Sequence, residues 1–234
     1  CVREADLNRE VSKNLYDLLT KDGHFHVFTA RDFVTGEYEP IFASYFANQN
    51  KEILSSRARW VETMINTLKK GQFKMRTNID HSIAPSGMAQ KLYGINKWAN
   101  ETNVDVVLHT HFNDYAGRPA NRVGEYSGFA IYVPEKQFSN ARASTALAKT
   151  IFEQMKTRVA ISTISGERRG IIEDQGLIAI GANGSLNGAA LLVEYGYIYE
   201  SHLTGALSRD IMGELAYQTY LGLKKYFEPK AVLA

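Results

Sequence analysis

Two apolar runs constrain this chain more than anything else in it. Val104-Asp105-Val106-Val107-Leu108 leads into His109-Thr110-His111-Phe112, and Ala189-Ala190-Leu191-Leu192-Val193 leads into Glu194. Short apolar runs without alternation read as strands buried on both faces, the pattern of a parallel sheet covered by helices. Helical periodicity surrounds them. Leu7, Val11, Leu15, Leu18 and Leu19 recur at spacings of three and four over residues 4–19, and Asp22-Gly23 closes that helix. Residues 88–100, with Leu92, Ile95 and Trp98-Ala99, form a second helix; residues 140–158, with Leu147, Ile151 and Met155, form another, and residues 210–227 close the chain. Further strands are expected at residues 24–29, 128–133 and 177–180. Strands alternating with helices predict the α/β class: an open, twisted, mostly parallel sheet with helices on both faces. The expectation is a single domain, residues 1–234, carrying an insertion at 37–87. Within the insertion, 52–68 reads as helix and 72–87, including His81, as loop.

Composition removes several function classes. The 234 residues suit one domain of ordinary size and can bury a sizeable core. Lys and Arg total 27 against 25 Asp and Glu, so a net charge of +2 leaves no broad basic footprint for nucleic acid. One cysteine, Cys1, excludes a disulfide framework and a Cys-rich zinc finger, and nothing electropositive flanks it to mark a reactive thiol. No apolar run approaches the ~20 residues that span a bilayer. The opening CVREADLNRE is polar and helix-like and shows no signal-peptide pattern.

Both apolar strands end in groups able to do chemistry. Ligands of open α/β sheets bind beyond the carboxyl ends of the strands, where His111 and Glu194 would lie. His109 and His111, two residues apart, share a strand face, and neutral imidazoles with a carboxylate suit zinc. The plainer reading of His-x-His is a pair of satisfied polar residues at a strand end. A carboxylate closing an apolar run is costly to bury unless paired, protonated or metal-bound, so Glu194 is more informative, with a solvated strand terminus as its plainer reading. Glu4 in a first helical turn would complement the helix dipole in any protein. Residues 181–185 resemble a phosphate-cradling turn by composition only and read as a loop. His24 and His26 read as structural or surface residues, and His202 as a loop residue. Arg168-Arg169 could meet an anionic substrate but reads first as a solvated pair.

Taken in order, the segments resemble the zinc-dependent N-acetylmuramoyl-L-alanine amidases. Glu4-Ala5-Asp6-Leu7-Asn8 is similar to the family's opening to its first helix, and Val27-Phe28-Thr29-Ala30-Arg31-Asp32 to its strand ending in Thr-Arg-Asp. Trp98-Ala99-Asn100 followed by Val107-Leu108-His109-Thr110-His111-Phe112-Asn113 resembles the helix end and the Ile-Ser-Ile-His-x-Asn strand, with His109 where the family usually has serine. Gly128-Phe129-Ala130-Ile131-Tyr132 looks like the Gly-x-Glu-x-Tyr strand, and Leu191-Leu192-Val193-Glu194-Tyr195-Gly196-Tyr197 like the Leu-Val-Glu-x-Gly-Phe motif.

The resemblance implies a Zn2+ cofactor held by Glu4 and His111, with Glu194 as catalytic general base. It implies cleavage of the amide between N-acetylmuramic acid and L-alanine of peptidoglycan, in an extracytoplasmic setting: periplasm, cell wall or secreted. It also implies that segment 37–87 could cover the cleft until a protein activator displaces it, the plainer reading being a surface extension. One departure stands out. The family's first zinc ligand is a histidine in Asp-x-Gly-His-Gly, on a strand before the Glu4 position, and only Cys1-Val2-Arg3 precede Glu4. The expectation is therefore a domain lacking its first strand, with the third ligand upstream of Cys1; His109 is a conceivable substitute. Two other readings compete: a catalytically silent wall-binding or regulatory relative, and a zinc amidohydrolase acting on another substrate.

Overall fold

A computed structural model describes residues 3–76, 84–114, 118–119, 122–181, 186–205 and 208–228. His81, Cys1 and residues 182–185 of the glycine-rich turn lie outside them. The helices are α1 (Glu4–Asp22), α2 (Pro40–Asn48), α3 (Asn50–Lys69), α4 (Ser86–Glu101), α5 (Ala141–Met155), α6 (Ser201–Thr204) and α7 (Ser208–Phe227). The strands are β1 (Val106–Asn113), β2 (Ala130–Pro134), β3 (Ile171–Asp174) and β4 (Ala189–Tyr197).

The four strands form one open sheet in the order β1-β4-β2-β3. Both the β1–β4 and β2–β3 pairs are parallel, and the central β4–β2 pair is antiparallel. The two apolar runs are thus neighbours, as two strands buried on both faces should be. One face carries Leu191, Val193, Phe129 and Ile131 against α1, α5 and α7; Val11, Leu147 and Met212 there are fully buried. The other face carries Ala190, Leu192, Ala130 and Tyr132 against α4 and α2, through Trp98 and Phe42. Burying each large aliphatic side chain contributes roughly 1.5–3 kcal/mol, so the two-faced core is what holds the sheet. The predicted face of α1 is the observed one: Leu7, Val11, Leu15 and Leu19 are its buried residues, and Gly23 ends the helix at φ 78, where a Cβ would be strained.

Three expectations change. Residues 24–29 alternate like a strand but are assigned to none; the adjoining chain makes only an isolated bridge, Arg31 to Tyr38. The reason is the absence of a backbone partner among the described residues: β1 is an edge strand, and between its outer edge and residues 24–30 lies a cleft of about 2340 Å³. Leu15, Val27, Val106, Leu108 and Phe227 line that cleft. Residues 178–180 are a 3-10 turn rather than a strand, because Gly181 reverses the chain in the left-handed region immediately after three apolar residues. His202 sits in the short helix α6 and not in a loop. Strand β3 and helix α2 were invisible to periodicity, being four and nine residues long.

Segment 37–87 does contain the predicted helix, extended by a few residues as α3. Helix α2 packs Phe42 on Trp98 of α4, with ring centroids 4.8 Å apart. The far end of the segment is tied elsewhere: Lys74 and Arg76 backbone amides donate to Gln137 and Gln175, and Arg76 pairs with the buried Glu135 at 3.0 Å. Glu135 follows Pro134 at the carboxyl end of β2. Since β2 runs against β4, this anchor lies at the opposite end of the sheet from Glu194.

Candidate functional site

The site follows from strand register. Parallel pairing sets His111 of β1 directly beside Glu194 of β4. Both share the face of Leu192 and Val107, because side chains repeat every two residues along a strand. Glu4 enters from α1, a helix on the opposite face, and meets His111 at the uncovered edge of the sheet: Glu4 Oε1 and His111 Nδ1 are 2.8 Å apart. Asn8, one turn further along α1, donates from Nδ2 to Glu4 Oε1 at 3.1 Å. Helical spacing of i and i+4 is what puts the amide over the carboxylate. Ser12, another turn along, shares a 2.7 Å hydrogen bond with Thr110, which fixes α1 against β1.

The electrostatics follow from two carboxylates flanking one imidazole. Burial works against a charge on His111, but the Glu4 hydrogen bond and the nearby charges of Glu194 and Glu4 outweigh it and raise its pKa. Burial likewise opposes the Glu4 charge, and the hydrogen bonds from His111, Asn8 and the Phe112 backbone bring its pKa below the usual carboxylate range. The ionised form of the carboxylate is therefore the one the site is built around.

His109 behaves differently from its neighbour two residues on. Burial, reinforced by the His111 charge, pushes it down to about 3 against a hydrogen bond to the Ala179 backbone. It is a neutral imidazole at physiological pH, and its Nε2 has no hydrogen-bond partner among the described residues. No third His, Cys or carboxylate among the described residues joins Glu4 and His111 within the 4.8 Å that a shared ion requires, so the structure does not gather His109 with them.

Behind the site lies a buried group that sequence reading missed. Glu167 is 2% exposed and accepts from the Tyr132 hydroxyl at 2.6 Å and from the Tyr197 hydroxyl at 3.4 Å. Burial, then the Glu167 and Glu194 charges, hold the Tyr132 phenol protonated far above its usual range. Glu167 sits in a polar loop of no periodicity, so no sequence signal marked it. Its neighbours Arg168 and Arg169 are exposed, as a solvated pair would be.

One cluster does meet metal-ligand distances: Asp22, His24 and Glu228, at the other end of α1. Asp22 is already held by the Lys224 ammonium at 2.8 Å, by the Tyr220 hydroxyl and by His24 at 2.5 Å. A resident cation occupies the place an ion would take. The Glu4–His111 pair has no such lysine or arginine.

The donor set at Glu4 and His111, one carboxylate oxygen and one imidazole nitrogen side by side at a half-exposed strand end, has the chemistry zinc selects. It supplies two arms of a site that needs at least three.

The sequence profile of the family described as N-acetylmuramoyl-L-alanine amidase matches residues 1–225. None of the curated proteins matches the sequence. Among solved structures, the chain is similar to the CwlD amidase of Clostridioides difficile, solved in complex with the GerS lipoprotein. That match has 14% identity and a TM-score of 0.60, over 98% of this chain and 88% of the other. It is also similar to an N-acetylmuramoyl-L-alanine amidase from Clostridium difficile 630, at 16% identity and a TM-score of 0.54, over 98% of this chain and 87% of the other. At these identities the likeness is one of fold.

Proposed function

Starting from its membership of the N-acetylmuramoyl-L-alanine amidase family, we propose that this chain is a zinc-dependent peptidoglycan hydrolase that cuts the bond between N-acetylmuramic acid and the L-alanine of the stem peptide. The observation carrying this reading is the His111–Glu194 register with Glu4 hydrogen-bonded to His111. Zinc, when bound, would polarise the amide carbonyl and bring the pKa of a bound water towards ~7.

This chain's own residues do the rest. Glu4 and His111 hold the metal, and the third ligand is expected from outside residues 4–228. Asn8 keeps the Glu4 carboxylate turned towards His111, the outer-shell support that ligating groups need. Glu194 takes the proton of the attacking water and returns it to the leaving amine of L-alanine. Its position beside His111, on the same sheet face, is where a base must stand to reach a nucleophile held by that ligand. Tyr132, anchored on Glu167, flanks Glu194 from β2 and keeps a neutral hydroxyl there.

Action on peptidoglycan places the protein outside the cytoplasm, and no helix among the described residues is long and apolar enough to cross a membrane. A protein partner fits the same reading, because the similar CwlD amidase was solved with a lipoprotein. Segment 37–87 is the part of this chain such an activator would displace. Its described end is fastened away from Glu194 by the Arg76–Glu135 pair, so the helices rather than that tail would move.

The test supplies zinc to the protein and follows release of stem peptide from purified muropeptides against a panel of simple acyl-peptides. Zinc-dependent release from muropeptides alone supports the reading. Zinc binding without release favours a silent relative, and cleavage of the acyl-peptides favours a different amidohydrolase.

A further inference from the structure

Helices α3 and α4 run side by side and then part. They are closest where Gly94 faces Ile53 and Phe46: a Cβ on Gly94 would lie 2.8 Å from Phe46 Cε1 and 3.0 Å from Ile53 Cδ1. Further along, Trp60 of α3 and Asn96 of α4 line a groove of about 480 Å³, within the range of small-molecule sites. Asn96 is 2% exposed, and its Nδ2 donates to the Ile178 carbonyl at 2.8 Å. Its Oδ1 has no hydrogen-bond partner among the described residues, and neither has the Trp60 indole Nε1, although both atoms are shielded from solvent.

Buried polar atoms left without partners are rare, and each one asks what satisfies it. Here the two needs differ. Nε1 of an indole can only donate, and with Nδ2 engaged the remaining Asn96 atom can only accept. One secondary amide meets both demands, its carbonyl accepting from Trp60 and its N–H donating to Asn96. The groove adds an aromatic wall at Trp60 and a charged rim at Glu52, Arg57 and Lys97 suited to hydroxyl groups. An extended peptide would present an amide but few hydroxyls.

We propose that the α3–α4 groove binds an N-acetylated hexosamine, holding its acetamido group between Trp60 Nε1 and Asn96 Oδ1. The choice of a glycan ligand rests on the peptidoglycan reading above, while the binding site itself does not depend on zinc or turnover. Because α3 belongs to segment 37–87, the groove would give that segment a contact with the glycan strand away from Glu194.

The experiment titrates metal-free protein while following the two indole N–H resonances by NMR, with Trp60→Phe identifying the Trp60 signal. The probes are di-N-acetylchitobiose, its de-acetylated counterpart and N-acetyl-alanine methylamide. The acetylated disaccharide should shift the Trp60 signal and leave that of Trp98 in place. The de-acetylated disaccharide should do nothing, and Trp60→Phe should weaken calorimetric binding by about tenfold or more, the loss of one good hydrogen bond. No shift, an equal shift with the de-acetylated sugar, or unchanged affinity in Trp60→Phe overturns the proposal and leaves a groove filled by water. Stronger binding of the methylamide overturns it in favour of a peptide. Since zinc is absent throughout, a failure here leaves the amidase reading standing, and loss of muropeptide turnover leaves this binding measurable.

Discussion

The two ends of helix α1 pose the same chemical question and answer it differently. At its start, Glu4 meets His111 at 2.8 Å; at its finish, Asp22 meets His24 at 2.5 Å. Each end offers a carboxylate and an imidazole, the ingredients of a metal site. At the finish, Lys224 and Tyr220 of α7 close on the same carboxylate, so the charge is spent on joining the first helix to the last. At the start, only the neutral amide of Asn8 supports Glu4, and Glu194 stands beside the imidazole. A carboxylate–histidine pair is a staple where the fold supplies its own cation, and a candidate ligand set where it does not.

Several variants can break that contrast. The largest effect is expected at Glu194: Glu194→Gln should lower muropeptide turnover by roughly 10²–10⁴-fold, the usual contribution of a general base, with zinc content unchanged by metal analysis. Lost zinc in this variant would instead make Glu194 a ligand. Next, Asn8→Ala should weaken zinc affinity or activity by about 10–100-fold, as removal of outer-shell partners does, measured by competition with a chelator. Unaltered affinity would mean that Glu4 needs no orienting partner.

The buried histidine gives a pH signature. With its folded pKa depressed to about 3, His109 stays neutral in the fold while the unfolded chain takes up a proton below ~6.5. The unfolded state binds more protons, so stability falls as pH falls, by up to about 1.4 kcal/mol per pH unit between those values. Denaturation of the metal-free protein across that range should show the slope, and His109→Gln should flatten it.

The smallest effect belongs to the staple. The Asp22 carboxyl is held well below its usual range by Lys224, Tyr220 and His24, so its contribution is present above the unfolded carboxylate value and disappears as pH falls through the folded one. Asp22→Asn should lower the melting temperature modestly at pH 7 and leave zinc affinity untouched. A change in zinc affinity would show the staple end to be the metal site.

What could be read beforehand depended on the range of the interactions involved. The apolar runs and the periodicity of α1, α4, α5 and α7 are local signals, and their buried faces follow from spacing alone. Glu4, His111 and Glu194 were legible as a set only through resemblance, since no local rule links residues 4, 111 and 194. Residues 24–29 failed because a strand is a relation between segments: the alternation of His24 to Thr29 is a strand's pattern, yet no neighbour among the described residues bonds to it. Residues 177–180 failed for a local reason, Gly181 turning the chain at once. The Glu167–Tyr132 bond joins a structureless loop to a core strand, and only the folded chain brings them together.

The pairing of His111 with Glu194 also bears on how the chain reaches its native state. A slip of one residue between β1 and β4 would turn the side chains of one strand to the other face. Glu194 would then enter the layer packed by Val11, Leu147 and Met212, where an ionised carboxylate is costly. The same carboxylate that serves the proposed reaction would therefore penalise the misaligned sheet. Replacing it with a neutral residue would relax that check, and part of any lost activity could come from molecules paired one residue out of step.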